Sequence, residues 1–95
     1  SDIYSLGLIL HELLSGKPTF TGETPPIVMV KQVTEAPPAL PDWVPEELQS
    51  LVFSMLEKEP GERPQQMRDV VTALEGLQRT IKTTDGFVAM AQGQG

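Results

Sequence analysis

The stretch that decides the fold is the first one, S-D-I-Y-S-L-G-L-I-L-H-E-L-L-S-G, residues 1–16. Its apolar residues follow helical spacing on one face and also cover most of the remaining surface. A helix at a protein surface shows a polar half, so this one is predicted to lie in a core with neighbours on several sides. Ser1 or Asp2 can cap its start, and Gly16 followed by Pro18 predicts its end. The residues of its main apolar face are Ile3, Leu6, Leu10, Leu13 and Leu14.

Three further helices are predicted from their start signals. Thr24 followed by Pro25 predicts a short second helix over I-V-M-V-K-Q-V-T, and Pro45 followed by two glutamates opens a third. Pro64 begins a fourth, so the predicted fold class is all-α with four helices. The third helix has the apolar stripe Leu48, Leu51, Val52, Met55 and Leu56, and the fourth has Met67, Val70, Val71, Leu74 and Leu77.

The segments between these helices are predicted to be loops of different kinds. The loop after Gly16 has one large apolar residue, Phe20, as its expected anchor to the core. Residues 35–45 contain four prolines and form an extended connection across a surface, in which Trp43 is also expected to anchor to the core. Residues 57–63 form a polar turn around Pro60 and Gly61.

The composition limits the size and the partners of the protein. With 95 residues, 39% hydrophobic and 21% charged, the chain has the size of one small domain or of a piece of a larger one. It does not begin with Met, which suggests the interior of a longer protein. From Thr83 onward the residues are mostly small and show no apolar periodicity. We therefore expect one domain over residues 1–80 and a frayed tail or the start of a linker over 81–95.

Several classes of function are excluded by the same counts. A net charge of -6 argues against nucleic acid or an anionic membrane as the main partner. The absence of cysteine and the single histidine exclude disulfides, thiolate metal sites and multi-histidine metal sites. No apolar run approaches the roughly 20 residues of a membrane span, and no signal peptide is present, so a soluble cytoplasmic segment is expected.

Few polar residues are candidates for a catalytic or binding role. His11 and Glu12 are adjacent on a helix and point about 100° apart, so we expect a partly exposed helix face and no acid–base pair. Asp2 is either a cap for its own helix or a buried carboxylate that needs donors. Arg63 lies between two helices and is either exposed or drawn inward to a carboxylate that this sequence does not contain. Two acidic groups are expected to be solvated surface: Asp42, Glu46 and Glu47, and Glu57, Glu59 and Glu62.

Asp2 and Arg63 stand in two motifs that resemble the protein kinase catalytic domain. The first stretch, followed by a Pro and a Phe, resembles the segment that forms the central helix of the kinase C-terminal lobe. The later L-E-K-E-P-G-E-R-P resembles the signature L-x-K-D/N-P-x-x-R-P near the end of that domain. Tyr4 in place of the common Trp, together with E-T-P-P-I-V and V-P-E-E-L, is most similar to serine/threonine kinases of bacterial type. Thr19 and Glu59 are mild departures from the family pattern.

The resemblance implies structural roles for both residues and a catalytic role for neither. Asp2 matches the aspartate that hydrogen-bonds the backbone of the catalytic loop, and Arg63 matches the arginine that pairs with the glutamate of the A-P-E motif. The helix after Pro25 matches a part of the lobe used for docking protein substrates or regulators. The resemblance covers roughly residues 1 to 78, and the missing remainder of the kinase domain would be the partner of this chain.

The sequence lacks the motifs that carry phosphoryl transfer. It has no Gly-rich loop, no strand lysine, and no H-R-D, D-F-G or A-P-E motif. We therefore expect no catalytic, cofactor-binding or metal-binding residues here, while the parent kinase would use ATP and Mg²⁺ to phosphorylate Ser/Thr in proteins. The alternatives are a non-catalytic helical interaction module derived from a kinase lobe, and a truncated gene product without function.

Overall fold

Four α-helices connected by loops make up the part of the chain that the structure, a computed structural model, describes. It describes the backbone of residues 2–91 and the side chains of residues 2–79. No strand occurs within these residues, so the predicted all-α class is confirmed. The helices are α1 (Asp2–Ser15), α2 (Pro25–Thr34), α3 (Glu46–Met55) and α4 (Met67–Ala91), and a short 3-10 helix (Pro60–Glu62) lies between the last two.

The predicted ends of the first two helices are confirmed. Gly16 has a φ of 77°, which favours glycine, and its N–H donates to the carbonyl oxygen of Glu12 at 2.8 Å. Thr24 is the N-cap of α2, with proline in the first turn. The Thr24 side chain makes no capping hydrogen bond; its carbonyl oxygen instead accepts the N–H of Ile27 at 3.1 Å. Ser1, the other proposed cap of α1, lies outside the described residues.

The fourth helix differs from its prediction at both ends. It begins at Met67 rather than at Pro64, and it continues to Ala91. The backbone is thus helical past Thr83 up to Ala91, and the assignment of residues 81–95 to a frayed tail or the start of a linker stays a prediction. No proline interrupts these residues, and adding one residue to an existing helix gains one hydrogen bond at little cost. Residues 92–95 lie outside the described part, and the boundary near residue 80 stays a prediction.

The core consists of two groups of buried side chains, both built around the contact between α1 and α3. The third-helix stripe is confirmed, because its last three residues are fully buried. The proline-rich connection adds two buried residues of its own to this core, which the sequence did not predict. One group contains Leu40, Val44, Val52 and Leu56, and the other contains Ile3, Met55 and Val70.

Two expectations about large apolar residues were wrong. Trp43 is 68% exposed and is no core anchor. It lies in a turn in which the N–H of Val44 donates to the carbonyl oxygen of Pro41 at 3.1 Å, and Val44 rather than Trp43 occupies the inward position. Phe20 is half-buried and lies outside both core groups.

In the fourth-helix stripe only Val70 is fully buried, since Met67 and Val71 are exposed.

Helix α1 is covered on one face only within the described residues. Its buried residues are Ile3, Gly7 and His11, which share a single helical face. By contrast, Ile9 is 53% exposed and Leu13 is 73% exposed. The neighbours that the sequence predicts on several sides of this helix are therefore not supplied by residues 2–79.

We expect Gly7→Ala to destabilise the protein by about 1 kcal/mol, although alanine is the better helix former. A Cβ at Gly7 would lie 2.9 Å from the Cβ of Met55, closer than such atoms approach in real structures, and 3.1 Å from Cδ2 of Leu56, which is a tight contact. Urea unfolding of the two forms measures the difference. Gly76→Ala in α4 is the matched control, because a Cβ there meets nothing within 4 Å. This control should gain about 0.5–1 kcal/mol, and a gain of the same size in Gly7→Ala would contradict the packing argument.

Candidate functional site

The two motifs singled out in the sequence meet in space through Tyr4 and Arg63. The guanidinium carbon of Arg63 lies 4.7 Å from the centre of the Tyr4 ring, within the range of a cation–π contact. Arg63 Nε donates to the carbonyl oxygen of Glu57 at 2.6 Å, and Nη2 donates to that of Lys58 at 3.1 Å. Arg63 is half-buried and is bound by carbonyl oxygens of its own loop and by a ring, so neither predicted alternative describes it fully. Within the described residues no carboxylate pairs with it.

A cavity of about 290 Å³ opens beside this contact. It lies between α1, the end of α2 and the segment after α3, and it brings two cationic side chains together with one carboxylate. The concentration of positive charge makes the cavity suitable for an anionic group such as a carboxylate. Its lining residues are Tyr4, Gln32, Val33, Lys58, Glu59 and Arg63.

Burial is the main cause of the pKa shifts of two residues that line the cavity, and the charge of Arg63 is the second cause. Burial lowers the pKa of Lys58, and the nearby charge of Arg63 lowers it further, while Glu35 partly offsets both effects. Burial raises the pKa of Tyr4, and the charge of Arg63 acts in the opposite direction. An incoming anion would relieve the repulsion between the two cations.

Lys58 joins three segments of the chain. The sequence analysis did not identify it as a candidate functional residue. Its Nζ donates to the carbonyl oxygen of Gln32 in α2 at 2.5 Å and lies 4.7 Å from the centre of the Phe20 ring. Phe20 therefore serves as a platform for an ammonium group as well as filling space. A lysine in a polar turn carries no sequence signal for such a contact, because the partner carbonyl is 26 residues away along the chain.

The interpretation of His11 as a partly exposed residue was wrong. Its side chain is 1% exposed, and the edge of its ring packs against Phe53 with 6.1 Å between the ring centres. Nε2 lies 2.8 Å from the carbonyl oxygen of Pro38, and Nδ1 lies 3.0 Å from the hydroxyl of Thr19. Because a carbonyl oxygen only accepts, Nε2 carries the hydrogen and Nδ1 accepts from Thr19. Both ring nitrogens are satisfied, which explains why a polar ring is stable in the core.

The remaining acidic candidates are found at the surface. Asp2 is exposed, and no hydrogen bond or ion pair holds its carboxylate among the described residues. Glu12 is exposed while His11 is buried, so the two form no acid–base pair, as predicted. The two acidic groups predicted to be solvated surface are exposed, which confirms that prediction. They are Asp42, Glu46 and Glu47, and Glu57, Glu59 and Glu62. In the part of the chain that the structure describes, no three His, Cys, Asp or Glu residues converge as a metal site would require. None of the helices in this part has the length and apolarity needed to cross a membrane.

Comparison with known proteins identifies the kind of protein to which the chain is related. It is 31% identical over 88% of its length to a probable serine/threonine-protein kinase of Clostridium perfringens. It is 37% identical over 98% of its length to a probable serine/threonine-protein kinase of Streptomyces coelicolor. Over 66% of its length it is 40% identical to the serine/threonine-protein kinase PknA of Mycobacterium tuberculosis. No protein-family model matches the chain.

The chain is therefore a kinase-related region, similar to part of the serine/threonine protein kinases of bacteria. It spans only 13 to 15% of the lengths of these three relatives. The all-helical architecture agrees with the helical part of a kinase C-terminal lobe.

Replacing Thr19 by valine should destabilise the protein by about 1–2 kcal/mol, because Nδ1 of the buried His11 loses its donor while the side-chain shape is kept. Thr21→Val is the matched control in the same loop, since Thr21 is exposed, and it should change the free energy of unfolding by less than about 0.5 kcal/mol. Chemical denaturation of the three proteins measures both differences. Equal effects at the two positions would show that the contact with His11 contributes nothing.

Proposed function

We propose that this chain forms the last part of the C-terminal lobe of a bacterial-type serine/threonine protein kinase, a transferase of the cytoplasm. The parent protein would transfer the γ-phosphate of ATP, with Mg²⁺, to Ser/Thr side chains of proteins. The observation that carries the proposal is the meeting of the two kinase-like motifs at 4.7 Å between Tyr4 and Arg63, beside a cationic cavity. The similarity to bacterial kinases over most of the chain supports it.

The exposed side of α1 supports the idea of a missing partner. Ile9 and Leu13 present apolar surface on a helix whose opposite face is buried. Covering such side chains gains roughly 25 cal/mol per Å² of apolar surface. The remainder of a kinase domain is the partner we propose for this surface, and a glutamate of that remainder is the proposed anion beside Arg63. Asp2, exposed at the start of α1, is free to accept hydrogen bonds from the backbone of a catalytic loop.

In this proposal the chain supports catalysis without performing it. Phosphoryl transfer depends on positioning and on electrostatic stabilisation by metal ligands, a phosphate-binding lysine and a base. The sequence offers none of the motifs that supply these groups. Asp2 and Arg63 would hold the loops that carry them, so the chain alone is proposed to be inactive and to bind neither ATP nor Mg²⁺.

A second candidate is an interaction module that binds a protein partner through α2. This candidate is favoured by one observation: α2 contains no buried residue, while Met29, Val30 and Val33 are more than half exposed. Protein substrates or regulators are the proposed partners of α2 in either case, and nucleic acid and membranes are not proposed. The reading frame upstream of Ser1 distinguishes the kinase proposal from the interaction module. A kinase frame encodes H-R-D, D-F-G and A-P-E in order before Ser1, whereas a module has a start codon directly before it.

In the complete protein encoded by that frame, we expect Asp2→Asn to lower kcat for phosphorylation of a general protein substrate by about 10²-fold, the loss typical of a misplaced catalytic group. An amide keeps the size of the side chain but loses the charge that the catalytic-loop backbone would bind. Phosphate transfer from labelled ATP measures the effect. Asp42→Asn, at an exposed position in the proline-rich connection, is the matched control and should keep the original rate. Equal rates in both variants would argue against the proposed role of Asp2.

The isolated 95-residue chain should bind a hydrophobic dye and unfold with low cooperativity, because α1 keeps apolar surface uncovered. Replacing both Ile9 and Leu13 by glutamine should reduce dye fluorescence without lowering helix content. Dye fluorescence and circular dichroism during heating measure these properties. A sharp cooperative transition with no dye binding would count against a missing partner.

A further inference from the structure

Helix α2 is attached to the rest of the protein in an unusual way. It has no buried residue, so apolar packing contributes little to its position. In its last turn, Lys31 Nζ donates to the carbonyl oxygen of Thr21 at 2.6 Å. At its C-terminal end the contact described above, between Lys58 and the Gln32 carbonyl, joins it to the segment after α3.

The contact of Lys58 falls where a helix needs a donor. The last four carbonyl groups of an α-helix have no partner within the helix. Here α2 ends at Thr34, the carbonyl of Lys31 accepts the N–H of Glu35 at 2.8 Å, and the carbonyl of Gln32 accepts from the Lys58 ammonium. A cation at this end also interacts favourably with the helix dipole. Lys58 thus acts as a C-terminal cap supplied by a distant part of the chain.

A second contact holds the ammonium in place. The face of Phe20 lies 4.7 Å from Nζ, so the ring and the helix end share one positive charge. The carbonyl oxygen of Lys58 in turn accepts from Arg63 Nη2 at 3.1 Å, so the backbone that carries Lys58 is fixed as well. The connection from Arg63 through Lys58 to Gln32 is therefore continuous, and each contact involves a side chain that is half-buried.

We propose that Lys58 is the positioning residue for the C-terminal end of α2, and that loss of its ammonium loosens the last turn of this helix while the contact between α1 and α3 stays intact. The bond between Lys31 and the carbonyl oxygen of Thr21 lies in the same turn, so the loosening would be local. This inference depends only on the contacts of Lys58 and holds whether or not the chain is part of a kinase.

Amide hydrogen exchange of the intact protein, followed residue by residue by NMR, tests the proposal. In Lys58→Met, which keeps apolar cover over Phe20 but removes the donor and the charge, exchange of the amides in the last turn of α2 should accelerate about 10-fold, as expected for loss of one hydrogen bond from a charged group. The amides of Val52 and Met55 in α3 should keep their rates. Lys58→Arg retains the charge and should restore most of the protection in α2.

Lys17→Met is the matched control, because it removes the charge of an exposed lysine in the neighbouring loop. Its exchange rates should equal those of the original protein. Unchanged rates in α2 of Lys58→Met would overturn the proposal. It would also be overturned by equal acceleration in α2 and α3, which indicates general destabilisation, or by a failure of Lys58→Arg to restore protection.

Discussion

The close approach of α1 to α3 at Gly7 is the constraint on which the rest of the structure depends. A glycine there allows the backbone of α1 to lie directly against Met55 and Leu56, because any side chain would meet their atoms at about 3 Å. The two groups of buried side chains both rest on this contact. The same approach brings the start of α1 to the segment after α3, and so places Tyr4 against Arg63.

Side-chain donors hold several loops of this proline-rich chain. Nine of the 95 residues are proline, and each removes a backbone N–H that could otherwise have paired with a carbonyl oxygen. Carbonyl groups of the loops and of the end of α2 accept from side chains instead. His11 donates to Pro38, Lys58 to Gln32, and Gln49 Nε2 to Val44 at 2.9 Å. These polar contacts attach segments with little regular structure to a small core.

The helices were predictable because their signals are local. Thr24 with Pro25, Pro45 with two glutamates, and Gly16 before Pro18 each act within one helical turn, and the helices occur where they indicate. The start of α4 was misplaced because Pro64 is tolerated in the first turn of a helix but also in the loop before one. The continuation of α4 past Thr83 was missed because apolar periodicity disappears there, although periodicity reports burial and not helix formation as such.

The sequence by itself determined the all-α class, the order of the helices, the core stripe of α3 and the relation of the two motifs to bacterial kinases. Only the tertiary structure decided that His11 is buried between Thr19 and Pro38, that Trp43 is exposed, and that Lys58 caps α2. The physical reason is the range of the interactions. Helix signals and apolar stripes arise from neighbours within a few residues, whereas a polar side chain finds its partner only where folding brings a distant carbonyl or hydroxyl within hydrogen-bond distance.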